Sequence, residues 1–193
     1  YLKDFNANRC CIGHYYKEFS KLRKLKQLFI MANFQGIPKF ETVDRLWKHY
    51  LEIMNNIDSQ NPLESLTLGL QPAKENNIIY DIAFDQTLLP VLAKFDTLRD
   101  LKLSFYLSKM SWTSTLESQN KVSLPALENF TLFAADMDVR ILRFLRVCAP
   151  AIVWLSIDLY APLQFTKIIE VCKATQSFRG LEACHIEPHC YSI

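Results

Sequence analysis

One pattern recurs six times along the chain: an aliphatic residue followed by further apolar residues three and five places on. It reads LKQLFI at 25–30, LESLTL at 63–68, LRDLKL at 98–103, LENFTL at 127–132, IVWLSI at 152–157 and LEACHI at 181–186. Successive copies start 38, 35, 29, 25 and 29 residues apart. The last three places of each copy alternate apolar, variable, apolar, which is the period of a strand with one buried face. A unit of this size cannot bury its apolar side alone, so such units must stack and share one continuous core.

The segments between the copies carry a helical period. Residues 43–54 put Val43, Leu46, Trp47, Tyr50, Leu51 and Met54 on one face at three- and four-residue spacing, an amphipathic helix. Residues 85–95, 138–148 and 163–174 behave similarly, and 11–22 supplies a helix for the first strand. Asp85 and Asp138 stand where N-terminal caps are expected. Pro90 either opens its helix or kinks it. Residues 108–125 are polar and Ser/Thr-rich, broken by the apolar Trp112, and are expected to form an extended loop. No shift of composition divides residues 1–193, so a single domain is expected.

With 193 residues, half of them hydrophobic, the chain can bury a substantial core without disulfides or metals. Its net charge of +2 comes from scattered basic residues. The one basic cluster, KLRKLK at 21–26, interleaves leucines with its charges and reads as a solvated face, so no nucleic-acid partner is expected. Apolar runs stay shorter than the roughly 18 residues a membrane helix needs, and residues 1–20 lack the apolar core of a secretory signal. The cysteines at 10, 11, 148, 172, 184 and 190 have no disulfide-framework spacing. These features lead to the expectation of a soluble protein with reduced cysteines, cytoplasmic or nuclear. A chain that begins with Tyr1 is expected to be a piece of a longer one. The sequon Asn129-Phe130-Thr131 falls inside an expected strand.

The six copies resemble the leucine-rich repeat family, whose consensus strand is Leu-x-x-Leu-x-Leu followed after two residues by Asn or Cys. The first copy, LKQLFIMAN, places Leu25, Leu28, Ile30 and Asn33 in all four consensus positions. The others keep the apolar places and carry Gln71, Tyr106, Ala135, Tyr160 and His189 where the asparagine would stand. The junction LRVCAPAIVWLSI, with Cys148 and Pro150, is similar to the Cys-Pro-x-Leu junction of cysteine-containing repeats in F-box proteins. The resemblance implies an α/β leucine-rich-repeat solenoid of about six irregular repeats. Its parallel sheet would line the concave side and its helices the convex side. It further implies a non-catalytic interaction domain, the substrate- or partner-recognising part of an F-box-type ubiquitin-ligase adaptor. Ligase subunits would then be engaged through sequence outside this chain.

No residue pattern calls for catalysis, a metal or another cofactor. The four glycines, at 13, 36, 69 and 180, form no phosphate-cradling loop or nucleophile elbow. His14, His49, His185 and His189 lack a nucleophile signature, and Asp81 and Asp85 read as solvated. In LEACHIEPHC, Cys184 takes an inward place and is expected to be a small buried hydrophobe. His185 then points the other way, so the two cannot easily share a zinc ion. Cys10 and Cys11, with His14, are likewise read as ordinary helix residues.

What remains is the outward side of the sheet. Phe29, Thr67, Lys102, Thr131, Ser156 and His185 should align in a central row. Gln27, Ser65, Asp100, Asn129, Trp154 and Ala183 flank it on one side, and Met31, Gly69, Ser104, Phe133, Asp158 and Glu187 on the other. From this surface Phe29, Met31, Thr67, Lys102, Thr131, Phe133, Trp154, Ser156, Asp158 and His185 are expected to contact a protein partner. Phe133 and Trp154 would be its aromatic anchors. A structural scaffold or assembly factor using the same repeats is the alternative, and an α/β enzyme a further one.

Overall fold

The computed structural model describes residues 4–7, 21–33, 40–71, 80–114, 122–160 and 165–188. In chain order the elements are β1 Asp4–Ala7, β2 Gln27–Asn33, α1 Phe40–Asn56, β3 Ser65–Gln71, β4 Tyr80–Ala83, α2 Phe84–Thr87, α3 Leu89–Leu92, β5 Asp100–Ser111, β6 Asn129–Met137, α4 Arg140–Cys148, β7 Trp154–Leu159, α5 Phe165–Thr175 and β8 Ala183–Pro188. The eight strands form one sheet in the order β1-β2-β3-β5-β6-β7-β8, with β4 paired to β5. Every pairing among the described residues is parallel. Each of the six motifs is the approach to one strand and its first residues, as the two-residue period implies.

The core follows from that period. In the first five copies the three apolar places (Leu25, Leu28 and Ile30 through Ile152, Leu155 and Ile157) are all at most 1% exposed. The helices close over them: Tyr50, Ile53 and Met54 of α1, Leu92 of α3, Ile141, Leu142 and Leu145 of α4 and Val171 of α5 join the same cluster. α1 touches α3, and α4 touches α5, so the helices form a layer against one face of the sheet.

One hydrogen-bond arrangement repeats with the motif. The carbonyl of the second motif residue accepts N–H groups from the second and third residues of the next copy. Lys26 accepts from Glu64 and Ser65, Glu64 from Arg99 and Asp100, and Arg99 from Glu128 and Asn129. Glu128 then accepts from Val153 and Trp154, and Val153 from Glu182 and Ala183, all at 2.8–3.2 Å. The side chain of Asn61, 2% exposed, adds a bridge at the first junction by accepting from Leu25 N and donating to Leu22 O.

Departures from expectation concentrate around β4 and β5. Residues 85–95 form two short helices, interrupted at Leu88, with Pro90 in the first turn of α3, where its missing N–H costs nothing. Strand β4 pairs Tyr80, Asp81, Ile82 and Ala83 with Ser108, Lys109, Met110 and Ser111. Given this partner, residues 108–111 are strand rather than the beginning of a loop. Trp112 is buried between Phe84 and Phe144, with ring centroids 6.5 and 5.1 Å away. Of the loop expected over 108–125, residues 115–121 lie outside the described residues.

Asp85 does not cap a helix and is not solvated. It lies within α2, 1% exposed, and its carboxylate accepts Thr113 N–H at 3.0 Å, Ser114 N–H at 2.7 Å and the Thr113 hydroxyl at 3.1 Å. It therefore fixes the chain just past β5. Asp138 is not the cap residue either: it stands one place before the N-cap, Val139, and accepts Arg140 N–H at 2.9 Å. Arg140 in turn donates to the Trp112 carbonyl at 2.6 Å. The last motif also differs: Leu181 and Ile186 are half-buried and Cys184 is exposed, so Cys184 is not the buried hydrophobe its place suggested. A core slot is closed by neighbours on both sides, and among the described residues β8 ends the strand order with β7 beside it.

Two predictions follow from this packing. Phe130→Ala, emptying a fully buried slot in the most extensively paired part of the sheet, should lower unfolding free energy by about 3–5 kcal/mol, measured by urea titration. Burial pushes the Asp85 carboxyl up, but hydrogen bonds from Ser114 and Thr113 outweigh it and hold it below its ordinary 3.8. A depressed folded pKa contributes stability that is present above the unfolded value and lost as pH falls through the folded one. Stability should therefore drop below about pH 4, and Asp85→Asn should make that drop shallower in thermal melts run from pH 6 to pH 2.

Candidate functional site

The face of the sheet away from the helices is built by strand register alone. The pairings place Gln27, Ser65, Asp100, Asn129, Trp154 and Ala183 in one row, and Phe29, Thr67, Lys102, Thr131, Ser156 and His185 in the next. Met31, Gly69, Ser104, Phe133, Asp158 and Glu187 form the third. Strand β1 adds Asp4 beside Gln27 and Asn6 beside Phe29. The structure thus brings all ten sequence-predicted partner residues onto a single surface.

Their exposures differ. Lys102, Trp154 and His185 are exposed, with Trp154 at 48%, while Phe29, Met31, Thr67, Thr131, Phe133 and Ser156 are half-buried. Asp158 is buried at 7%. In the first row Asn129 donates to Asp100 Oδ1 at 2.5 Å, so the amide of the sequon asparagine is engaged across the strands. In the third row Met31 covers Gly69, and a Cβ on Gly69 would run into the Met31 side chain and lie 2.9 Å from the Ser104 carbonyl oxygen. Tyr50 of α1 fixes the same residue from the other side by donating to the Gly69 carbonyl at 2.9 Å.

Toward β5–β7 the surface becomes aromatic. Phe133 lies 5.8 Å from Tyr106, which lies 4.8 Å from Tyr160, measured between ring centroids. The Lys102 ammonium sits 5.0 Å above Phe133, within cation–π range. Tyr106 and Tyr160 stand two places beyond Ser104 and Asp158 and so extend the outward rows by one. The corresponding place on β6 is Ala135, 4% exposed. A small residue there leaves room for the flanking rings to meet. The two tyrosines occupy the ninth place counted from the start of their motifs, where the first copy has Asn33. Their recurrence at that place was the available signal.

Beside this cluster three polar side chains converge. His185 Nε2 lies 3.7 Å from Asp158 Oδ1 and 3.3 Å from Glu187 Oε2. Cys184 is directed oppositely, as the alternation of a strand requires. His14, His49, His189, Cys10, Cys11 and Cys190 lie outside what the structure describes in side-chain detail. On the helical side a 710 Å³ groove runs between α4 and α5, lined by Arg143, Phe144, Val147 and Lys173 among others. Val147 is 71% exposed there. Burial pushes the thiol of Cys148, at the base of that groove, up to about 12, which makes it a poor nucleophile.

No family model, no curated protein and no solved structure matches the chain. No helix among the described residues is long and apolar enough to cross a membrane.

The contact at Gly69 sets a further expectation. Gly69→Ala should cost about 1–3 kcal/mol through overpacking against Met31 and the Ser104 carbonyl, seen as a lower urea midpoint with an unchanged slope.

Proposed function

We propose that this chain is an irregular leucine-rich-repeat solenoid that binds a protein partner on the sheet face away from the helices, without catalysis. The observation that carries the reading is the composition of that face between β5 and β8. Trp154 is half-exposed, an aromatic group of Tyr106, Phe133 and Tyr160 lies on the same surface, and hydrogen-bonding side chains stand between them. Aromatic anchors surrounded by polar groups are the residues that carry most binding energy at protein interfaces. The repeated carbonyl bridge, at each of the five junctions between motifs, supports reading the copies as equivalent units of a solenoid. The finer assignment, a substrate-recognising part of an F-box-type ubiquitin-ligase adaptor, is supported by the cysteine-containing junction at 145–157.

The second reading is a scaffold or assembly factor that binds through its helical side. The groove between α4 and α5, with the exposed Val147, favours it.

Affinity capture of the partner from the native cell, repeated with surface variants, separates the two. On the sheet-face reading Trp154→Ala weakens partner binding by about 2 kcal/mol, roughly 30-fold, and Thr131→Arg with Ser156→Arg abolishes it. Val147→Asp leaves it unchanged. Loss of capture with Val147→Asp alone would establish the helical side instead. Co-purification of ligase subunits with the full-length protein tests the adaptor assignment.

A further inference from the structure

We propose that Asp158, His185 and Glu187 form a binding site for a zinc-class divalent cation at the β7–β8 end of the sheet face. The inference does not depend on the partner-binding reading.

The geometry comes from the strands. His185 and Glu187 are two places apart on β8 and so share a face, and Asp158 on β7 is the direct register partner of Glu187. One donor atom from each of the three lies within 4.8 Å of the other two. Zinc bonds of about 2.0–2.1 Å to imidazole nitrogen and carboxylate oxygen put tetrahedral ligand atoms ~3.3 Å apart. The His185–Glu187 separation is 3.3 Å and the His185–Asp158 separation 3.7 Å, with all three donors inside the 4.8 Å span.

Electrostatics favours the same occupant. Carboxylates directly opposite one another on neighbouring strands repel, and burial of Asp158 at 7% exposure weakens the screening that water would supply. A divalent cation bonded to all three groups would bring two positive charges to this pair. The donor set also selects among cations. Calcium takes six to eight oxygen ligands and magnesium keeps much of its water, whereas one imidazole with two carboxylates suits a borderline transition ion. Three protein ligands leave a fourth tetrahedral position for water, the arrangement of an open rather than a closed zinc site.

The test is calorimetric titration of the chelator-treated protein with zinc, paired with cobalt(II) titration followed by visible absorption. The expected result is one zinc equivalent that His185→Ala removes or weakens by more than about 100-fold, beyond the loss typical of an outer partner. Cobalt should give tetrahedral d–d bands without a thiolate charge-transfer band. Cys172→Ser with Cys184→Ser should change neither titration, because Cys184 alternates to the other face of β8 and Cys172 belongs to α5 in the helical layer. Asp158→Asn should weaken binding as His185→Ala does. Should that buried substitution disturb the fold, His185, whose side chain is 57% exposed, decides the matter by itself, with circular dichroism as the control. Absence of zinc binding, binding that persists at full affinity in His185→Ala, or binding lost with the two serine substitutions would each overturn the proposal.

Discussion

A carbonyl that accepts two successive N–H groups from the following repeat is the constraint on which the sheet depends. It occurs at Lys26, Glu64, Arg99, Glu128 and Val153, always the second residue of the motif. Two donors on one acceptor leave the incoming strand little freedom to slide, so each strand begins level with its neighbour. From that level start follow both the inward triads and the outward rows. A slip of one residue would turn every buried leucine toward solvent. The connections between copies vary from 25 to 38 residues in repeat length without disturbing this, because loop closure cost rises only slowly with length. Irregular repeats and regular register are therefore compatible.

The side chains at the same second position reinforce the register by charge. They read Lys26, Glu64, Arg99 and Glu128 across successive copies. Lys26 donates to Glu64 at 2.6 Å, and Arg99 approaches Glu128 at 4.0 Å. The hydrogen bond from Lys26 is the chief cause of the lowered Glu64 pKa, with the charge of Arg99 adding to it from the other side. These groups are exposed, so water and salt screen them. Their effect is to discriminate: the alternation places opposite charges side by side in the native order, and like charges side by side when a repeat is skipped.

The strand motifs and all three outward rows were legible in the sequence because a two-residue period assigns each side chain to a face without further information. Helix positions were legible for the same reason, through the three- and four-residue spacing of Trp47, Tyr50 and Met54 or of Ile141, Leu142 and Leu145. What escaped was whatever depends on contact between segments distant in sequence. Strands β1 and β4, each four residues long, have too few places to show a period. Asp85 looked like a helix cap because nothing local reveals that Thr113 and Ser114 come to it. Cys184 fills an inward place by pattern, yet its exposure is decided by its position on the last strand of the sheet. The convergence of Asp158 with His185 and Glu187 was implicit in the predicted rows, but no spacing within one segment shows it, because the donors come from two strands.

The two halves of the sheet face share a backbone design and differ in what stands on it. Between β2 and β5, Gly69 offers no side chain, Met31 folds across it, and Ser104 is 2% exposed; the surface there is filled from within and low in relief. Between β5 and β8 the corresponding places hold Phe133, Asp158 and Glu187, and the row beyond holds Tyr106 and Tyr160 on either side of Ala135. Aromatic rings and converging charges give this half more relief and stronger local fields than the other. The sheet allows this division because, among the described residues, each strand pairs with its neighbours in the strand order. One end of the sheet is filled by packing while the other bears aromatic and charged side chains, on one shared register.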